Sequence, residues 1–265
     1  MLSAVLSRPA EPHEYDRAAS GGNPRAGSAG LDSTGERAVR APPLVLTGLL
    51  PAWDIERRRA DMTHVIAWTL DQIRRLGHSV ESLDVLHHHL DATRARAVAQ
   101  ALTAASLAKE LRRHVHRVVL EAVPEIPAEH VWIQTHAHFR ILLPHDAVTP
   151  VPPHTDFGFG HDLAERNVWL SLTDAEGSAA LHVLPLGESL SWLARTGKVR
   201  GVLDGAPEIP PVPTRAGEVL LFTPLHLHRG RPPSGDLCRV SIDVRLLPRP
   251  LSMRDLSFSP LRRDP

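Results

Sequence analysis

A histidine and an aspartate one residue apart, a further histidine far downstream and an arginine shortly after it form the most chemically suggestive pattern in the chain. The residues are His154-Thr155-Asp156, the segment Pro224-Leu225-His226-Leu227-His228-Arg229-Gly230, and Arg239-Val240-Ser241. Two imidazoles and one carboxylate are the ligand set that holds a non-haem Fe(II) by one face and leaves the opposite face open. The guanidinium adds an anchor for a carboxylate, because its planar fork matches two oxygens and it keeps its charge. Together they imply iron chemistry with an oxo acid and dioxygen.

Whether these residues meet depends on the backbone. On an extended strand His154 and Asp156 project from the same face, and Pro152-Pro153 just before them oppose a helix and favour a strand or a strand edge. The tripeptide alone is weak evidence, since His-x-Asp arises often as a surface pair. Two residues compete for the third position, His226 and His228, and both can face one side of a strand. We favour His228, which directly precedes the turn-rich Arg229-Gly230-Arg231-Pro232 and is better spaced before Arg239. His226 is then a pocket residue that orients a ligand or touches substrate. Arg239 and Ser241 share one strand face, while Val240, Ile242 and Val244 face the other way and pack; the same alternation also describes an ordinary half-exposed strand.

The elements that must position these residues fall into two halves. Apolar residues at helical spacing, an N-capping aspartate and Gly77 predict an amphipathic helix over 61–76, and 91–123 reads as one long helix or two. After Pro127 the pattern becomes short β-rich runs over 131–135, 139–143, 167–172, 180–184, 219–222 and 238–247, which suggests a sandwich or small barrel. Helices first and strands afterwards make an α+β domain, with the helices buttressing one sheet. Residues 7–42, rich in Gly, Pro, Ala, Ser and Arg, cannot bury enough apolar surface to fold, so 1–42 is expected to be a disordered leader. Globular composition begins near Pro43, with a short strand over 44–46. The expectation is one catalytic domain over 43–265, helical over about 43–127 and β over about 128–250. The stretch 186–211, with Gly197, Gly201 and Gly205, is long enough for a lid or for a surface excursion.

Composition narrows the function classes. With 265 residues the chain can bury a sizeable core, and its 30 basic residues balance its 30 acidic ones, so no overall field favours nucleic acid or anionic membranes. The single cysteine, Cys238, excludes an intramolecular disulfide and an all-thiolate zinc site and fits a reducing cytoplasm. No stretch reaches the roughly 18 apolar residues that span a bilayer, so a soluble protein with a small-molecule substrate is expected. Oligomeric state is not legible.

The HxD pair, the His228-Arg229-Gly230 segment and Arg239-Val240-Ser241 resemble the iron(II)- and 2-oxoglutarate-dependent oxygenases, in particular phytanoyl-CoA-hydroxylase-like and antibiotic-biosynthesis hydroxylases. Asn167-Val168-Trp169-Leu170-Ser171-Leu172-Thr173 and the 177–189 stretch (GSAALHVLPLGES) add to the resemblance, which spans roughly 131–247. It implies a double-stranded β-helix, a cupin-like jelly-roll barrel with His154, Asp156 and His228 on the metal. It further implies that Arg239 and Ser241 hold the remote carboxylate of 2-oxoglutarate, with Gln134 as another co-substrate contact. Arg140 is then a substrate contact, and Phe157, Phe159 and Trp169 wall the pocket beside His226. The implied cofactor is Fe(II), with 2-oxoglutarate and O₂ as co-substrates, and the implied reaction is hydroxylation of an aliphatic C–H in a small polar secondary metabolite. Desaturation, cyclisation and epimerisation share the same chemistry, whereas halogenation is disfavoured because halogenating relatives lack the carboxylate that Asp156 supplies. Two alternatives from other classes are a catalytically silent β-helix binding module and a cupin-like metal enzyme that uses no oxo acid. His161 and His182 read as structural or surface histidines, and the run His87-His88-His89 as solvated helix-flanking sequence.

Overall fold

The computed structural model describes residues 54–125, 131–144, 151–247 and 258–260; the leader expected over 1–42 and the strand expected over 44–46 lie outside them. In chain order come β1 (Glu56–Arg59), α1 (Thr63–Arg75), a 3₁₀ turn (Leu83–His88), α2 (Ala92–Ala105) and α3 (Lys109–Ala122). The β half follows with β2 (Trp132–Gln134), β3 (His138–Leu142), β4 (Val151–His154), β5 (Arg166–Ser171) and β6 (Leu181–Val183). Then come α4 (Leu186–Thr196), β7 (Pro211–Val212), β8 (Glu218–Phe222), β9 (His228–Gly230), β10 (Arg239–Leu247) and β11 (Phe258–Pro260).

Local chemistry explains the helix limits. Asp61 Oδ1 accepts from the Thr63 amide at 2.9 Å to start α1, and Gly77, at φ 90°, stops it by donating to the Arg74 carbonyl. The 91–123 region is two helices. Asp91 caps the first through the Arg94 amide, and Ser106 marks the break, donating to the Thr103 carbonyl and accepting from the Ala137 amide that leads into β3.

Two antiparallel sheets form the β half. One runs β1-β8-β5-β10-β2-β11, with β3 also paired to β10; the other runs β4-β9-β6-β7. The period-2 pattern sorts the large sheet cleanly. Val168, Leu170, Val219, Leu221, Val240, Ile242, Val244 and Leu246 join one core with Val65, Trp68, Val98, Leu102, Leu111 and Val118 of the helices. Each such side chain contributes about 1.5–3 kcal/mol by leaving water, so the helices are bound to this face. The alternate residues face the small sheet. Trp169, Leu220 and Phe222 there meet Leu181 and Val183 of β6 in a second core between the sheets.

The 186–211 stretch is neither lid nor loose excursion. Trp192, Leu193, Val199, Leu203 and Ile209 build a third cluster with Leu184 and Leu227 on the outside of the small sheet.

Candidate metal centre

His154 ends β4, an edge strand of the small sheet. Val151 pairs with Gly230 and His154 with His228, so three steps on β4 oppose two on β9, and this irregularity carries Pro152 and Pro153. Such a bulge turns both Val151 and His154 inward, which their shared burial records. The chain then turns into a 3₁₀ segment at Asp156–Phe159, where Thr155 Oγ1 accepts from the Gly158 amide and Gly160 closes the turn at φ 94°.

His154, Asp156 and His228 are buried and present one donor atom each within 4.8 Å of one another. Both histidines turn Nδ1 to a backbone carbonyl, His154 to Pro152 at 2.8 Å and His228 to His226 at 2.9 Å. A carbonyl only accepts, so Nδ1 carries the proton and the Nε2 lone pair is left for a metal. Asp156 Oδ1 lies 3.6 Å from His154 Nε2 and 3.7 Å from His228 Nε2. These separations are below the ~4.2 Å that two donors about 2.1 Å from one ion can span. The other oxygen, Oδ2, accepts from Asn167 Nδ2 on β5, which fixes which oxygen faces the imidazoles.

Electrostatics keep His228 and Asp156 in their ligating forms. Burial pushes the His228 imidazole down to about 4, and the neighbouring His154 adds to this, so it is neutral near pH 7. Burial alone would raise the Asp156 carboxyl; Arg245, then His228 and His154, outweigh it and hold the group well below the ordinary carboxylate range. Arg245 Nη2 lies 3.3 Å from Asp156 Oδ1, and its Nε is 3.6 Å from Glu165.

Arg239 has no such partner among the described residues. Its side chain is 0% exposed, Nη1 donates to the Ala179 and Ala180 carbonyls, and Nε and Nη2 have no hydrogen-bond partner among the described residues. Burial lowers its pKa to about 9, with Arg140 adding to the effect. The Ser241 hydroxyl on the same strand face is likewise buried and unpartnered among the described residues. A side chain at Gly230 would sit 3.2 Å from Arg239 Nη2, so the missing Cβ leaves room beside the guanidinium. Arg239, His154, Asp156, His228 and Trp169 line one cavity. An orphaned buried cation and a hydroxyl beside a three-donor metal triad fit a carboxylate-bearing metal chelator.

Other expected residues divide. Arg140 and Trp169 line the cavity; Arg140 Nε is 2.6 Å from Asp243, and the Trp169 ring lies 5.8 Å from the Arg239 guanidinium carbon. Phe159 packs edge-on against the His154 ring at 5.4 Å, yet neither it nor Phe157 is among the lining residues. Gln134 and His226 are not among the lining residues either. Gln134 sits on β2, beside the end of β10, with its amide 3.1 Å from His138 Nε2. Ile133 pairs with Leu246, which sets Gln134 beside Arg245 at the far end of β10 from Arg239, and Gln134 is not among the residues lining the cavity. The His226 side chain turns away from the cavity, to Thr223 and to Asp54 Oδ1 at 3.4 Å; only its carbonyl serves the centre, through His228. His161 pairs with Glu165 and His182 with the Ile209 carbonyl. His87 is not solvated flank but contacts Cys238 Sγ at 3.2 Å.

Sequence reasoning missed Asn167, Asp243 and Arg245, which line the same cavity. The signal was the alternation Arg239, Ser241, Asp243, Arg245, a charged stripe on one strand face.

Fold and site thus define an α+β protein with two antiparallel sheets enclosing a buried His-Asp-His triad. No family model and no curated protein matches the sequence. Among solved structures the chain is similar to EvdO2 from Micromonospora carbonacea var. aurantiaca complexed with 2-oxoglutarate, at 15% identity and TM-score 0.47, over 76% of this chain and 89% of that one. It is similar to the non-heme alpha ketoglutarate dependent epimerase SnoN from nogalamycin biosynthesis, at 16% identity and TM-score 0.45, over 78% and 88%. It is also similar to EvdMO1, at 17% identity and TM-score 0.44, over 73% of this chain and 47% of that one, so this chain spans about half of EvdMO1's length. No helix among the described residues is long and apolar enough to cross a membrane.

Proposed function

We propose that this chain is an Fe(II)- and 2-oxoglutarate-dependent oxygenase that hydroxylates an aliphatic C–H of a small polar metabolite, with residues 43–265 as one catalytic unit. The observation that carries the reading is the coincidence, in one cavity, of the three-donor triad and the Arg239 guanidinium buried with N–H groups unpartnered among the described residues. A metal enzyme with no acidic co-substrate would have no use for that cation. Strand order supports the barrel: β3 to β10 distribute as β3-β10-β5-β8 and β4-β9-β6-β7, the order of a double-stranded β-helix.

In this reading His154 and His228 through Nε2 and Asp156 through Oδ1 hold the iron. Bound iron with the oxo acid and dioxygen supplies the oxidising power to break an unactivated C–H bond. The protein does the rest by placement. Asn167 and Arg245 fix the Asp156 carboxylate, and Arg239 with Ser241 grips the far carboxylate of 2-oxoglutarate. Trp169 and Phe222 exclude water, while the Arg140–Asp243 pair offers a fixed donor and acceptor to a polar substrate. Natural-product biosynthesis is the setting this substrate class suggests, and a small soluble cytoplasmic enzyme the form.

The test is spectroscopic. Anaerobic addition of Fe(II) and 2-oxoglutarate gives a weak visible charge-transfer band, and Asp156→Ala abolishes it. A band unchanged in that variant removes Asp156 from the metal and ends the reading.

A further inference from the structure

The two metal-bearing segments meet over a short and irregular ladder. β4 carries Pro152 and Pro153, which have no N–H to give, and its register with β9 slips between Val151 and His154. Ladder hydrogen bonds therefore cannot by themselves set the separation of His154 from His228. A different part of the chain grips both. From one side, the Ser189 hydroxyl of α4, fully buried, donates to the Leu184 carbonyl at 3.1 Å and accepts from the Leu227 amide at 3.0 Å, one residue before His228. Leu184 in turn donates to the Leu227 carbonyl at 2.8 Å. From the other side, the Leu203 amide donates to the Pro153 carbonyl at 2.8 Å, one residue before His154. Beside it the Val199 carbonyl presses on Gly158, where an added Cβ would lie only 2.4 Å away. Between the two grips the apolar cluster of Trp192, Leu193, Val199 and Leu203 with Leu227 makes the segment a packed body.

We propose that residues 184–203 are a clamp that sets the spacing of the metal ligands, with Ser189 and Gly158 as its positioning residues. This inference rests on the metal-centre reading above. A hydrogen bond to each strand next to its ligand adds to this short ladder, and the apolar cluster holds the two ends at a fixed distance. Because Gly158 lies in the turn that begins with Asp156, the clamp orients the carboxylate as well as the two imidazoles.

Ser106 provides a matched control. It is equally buried and bonded in the same way, donating to a carbonyl and accepting from an amide, but in the helical layer away from the triad. Co(II) binding to the full chain is read from its visible d–d spectrum and by titration, alongside thermal unfolding without metal. Ser189→Ala and Ser106→Ala are expected to lower the metal-free melting temperature comparably. Only Ser189→Ala weakens Co(II) binding, by about 10-fold or more, the range for groups that orient ligands, and shifts the d–d band. Gly158→Ala, which needs no buried hydroxyl removed, is expected to weaken Co(II) in the same way and carries the test should Ser189→Ala not fold. Co(II) affinities of Ser189→Ala and Gly158→Ala equal to that of Ser106→Ala overturn the clamp alone. Wild-type protein with no Co(II) binding sensitive to His154→Ala refutes the metal centre, and the clamp with it.

Discussion

Replacing Arg239 by methionine should make the ligand-free protein more stable while destroying its response to 2-oxoglutarate. The cost of the native cation can be worked from its surroundings. Burial lowers its pKa from the ordinary guanidinium range to about 9, which at ~1.36 kcal/mol per pH unit is about 5 kcal/mol against keeping it charged. Methionine removes that cost and roughly keeps the volume, but leaves the Ala179 and Ala180 carbonyls without their donor, at about 1–3 kcal/mol. The net gain is about 2–4 kcal/mol, a rise of roughly 4–16 °C in melting temperature for a domain of this size. Loss of one partner from a buried charge-assisted pair costs about 2–5 kcal/mol of binding, or about 30- to 5000-fold in affinity. The assay is thermal unfolding with and without Co(II) plus 2-oxoglutarate. Arg239→Met melting below the wild type when ligand-free, and keeping the full 2-oxoglutarate shift, would refute the argument. The cation would then be structural.

Two further outcomes follow from buried polar contacts. Asn167→Ala frees Asp156 Oδ2 and should weaken Co(II) binding about 10- to 100-fold by calorimetric titration, while Asn167→Asp, which sets a second anion against the first, weakens it more; unchanged affinity in both would show that Asn167 does not orient the ligand. Burial pushes the Cys238 thiol up from 9.0 to about 11, so iodoacetamide at pH 8.5 should label it only in denaturant. Because the folded value is the raised one, its stabilisation is complete below pH 9 and lost as pH climbs toward 11. Denaturation midpoints should fall over that window, and Cys238→Ala should flatten the fall; the same slope in the variant would assign it to other groups.

Much of the architecture was legible because it depends on local rules. The helix over 61–76 announced itself by spacing and by Gly77, while Asp61 stands one residue before the N-cap Met62 and accepts from the Thr63 amide. The division of 91–123 did not, since the signal that ends α2 is a serine bonded to a strand 31 residues away. Six of the strands coincide with β-rich runs to within a residue or two. β1, β7 and β11 escaped because they are two to four residues long and owe their extension to neighbours rather than to β-branched content, while β4 and β9 were signalled only through the strand reading of Pro152-Pro153 and of the His226–His228 segment. The leader and the strand over 44–46 lie outside the described residues.

The site was half legible, for a reason that lies in β10. Alternation told which residues share a face, Arg239 with Ser241, Asp243 and Arg245 on one side and Val240, Ile242 and Val244 on the other. It did not tell where each face points. In an ordinary antiparallel sheet the apolar face meets the core and the polar face meets water, and by that rule Asp243 and Arg245 would be solvated bystanders. Here the helices cover the apolar face, and the polar face is turned toward the second sheet, where Arg239 and Ser241 are fully buried. A charged stripe that the fold encloses must find partners or wait for them. Asp243 has Arg140, and Arg245 has Asp156 and Glu165. Arg239 alone of the stripe's charges meets no carboxylate among the described residues, and the metal triad lies in the same cavity. The unpaired charge is thus the feature that turns a polar strand face into a binding site. It came from reading the strand in its barrel, not from the strand itself.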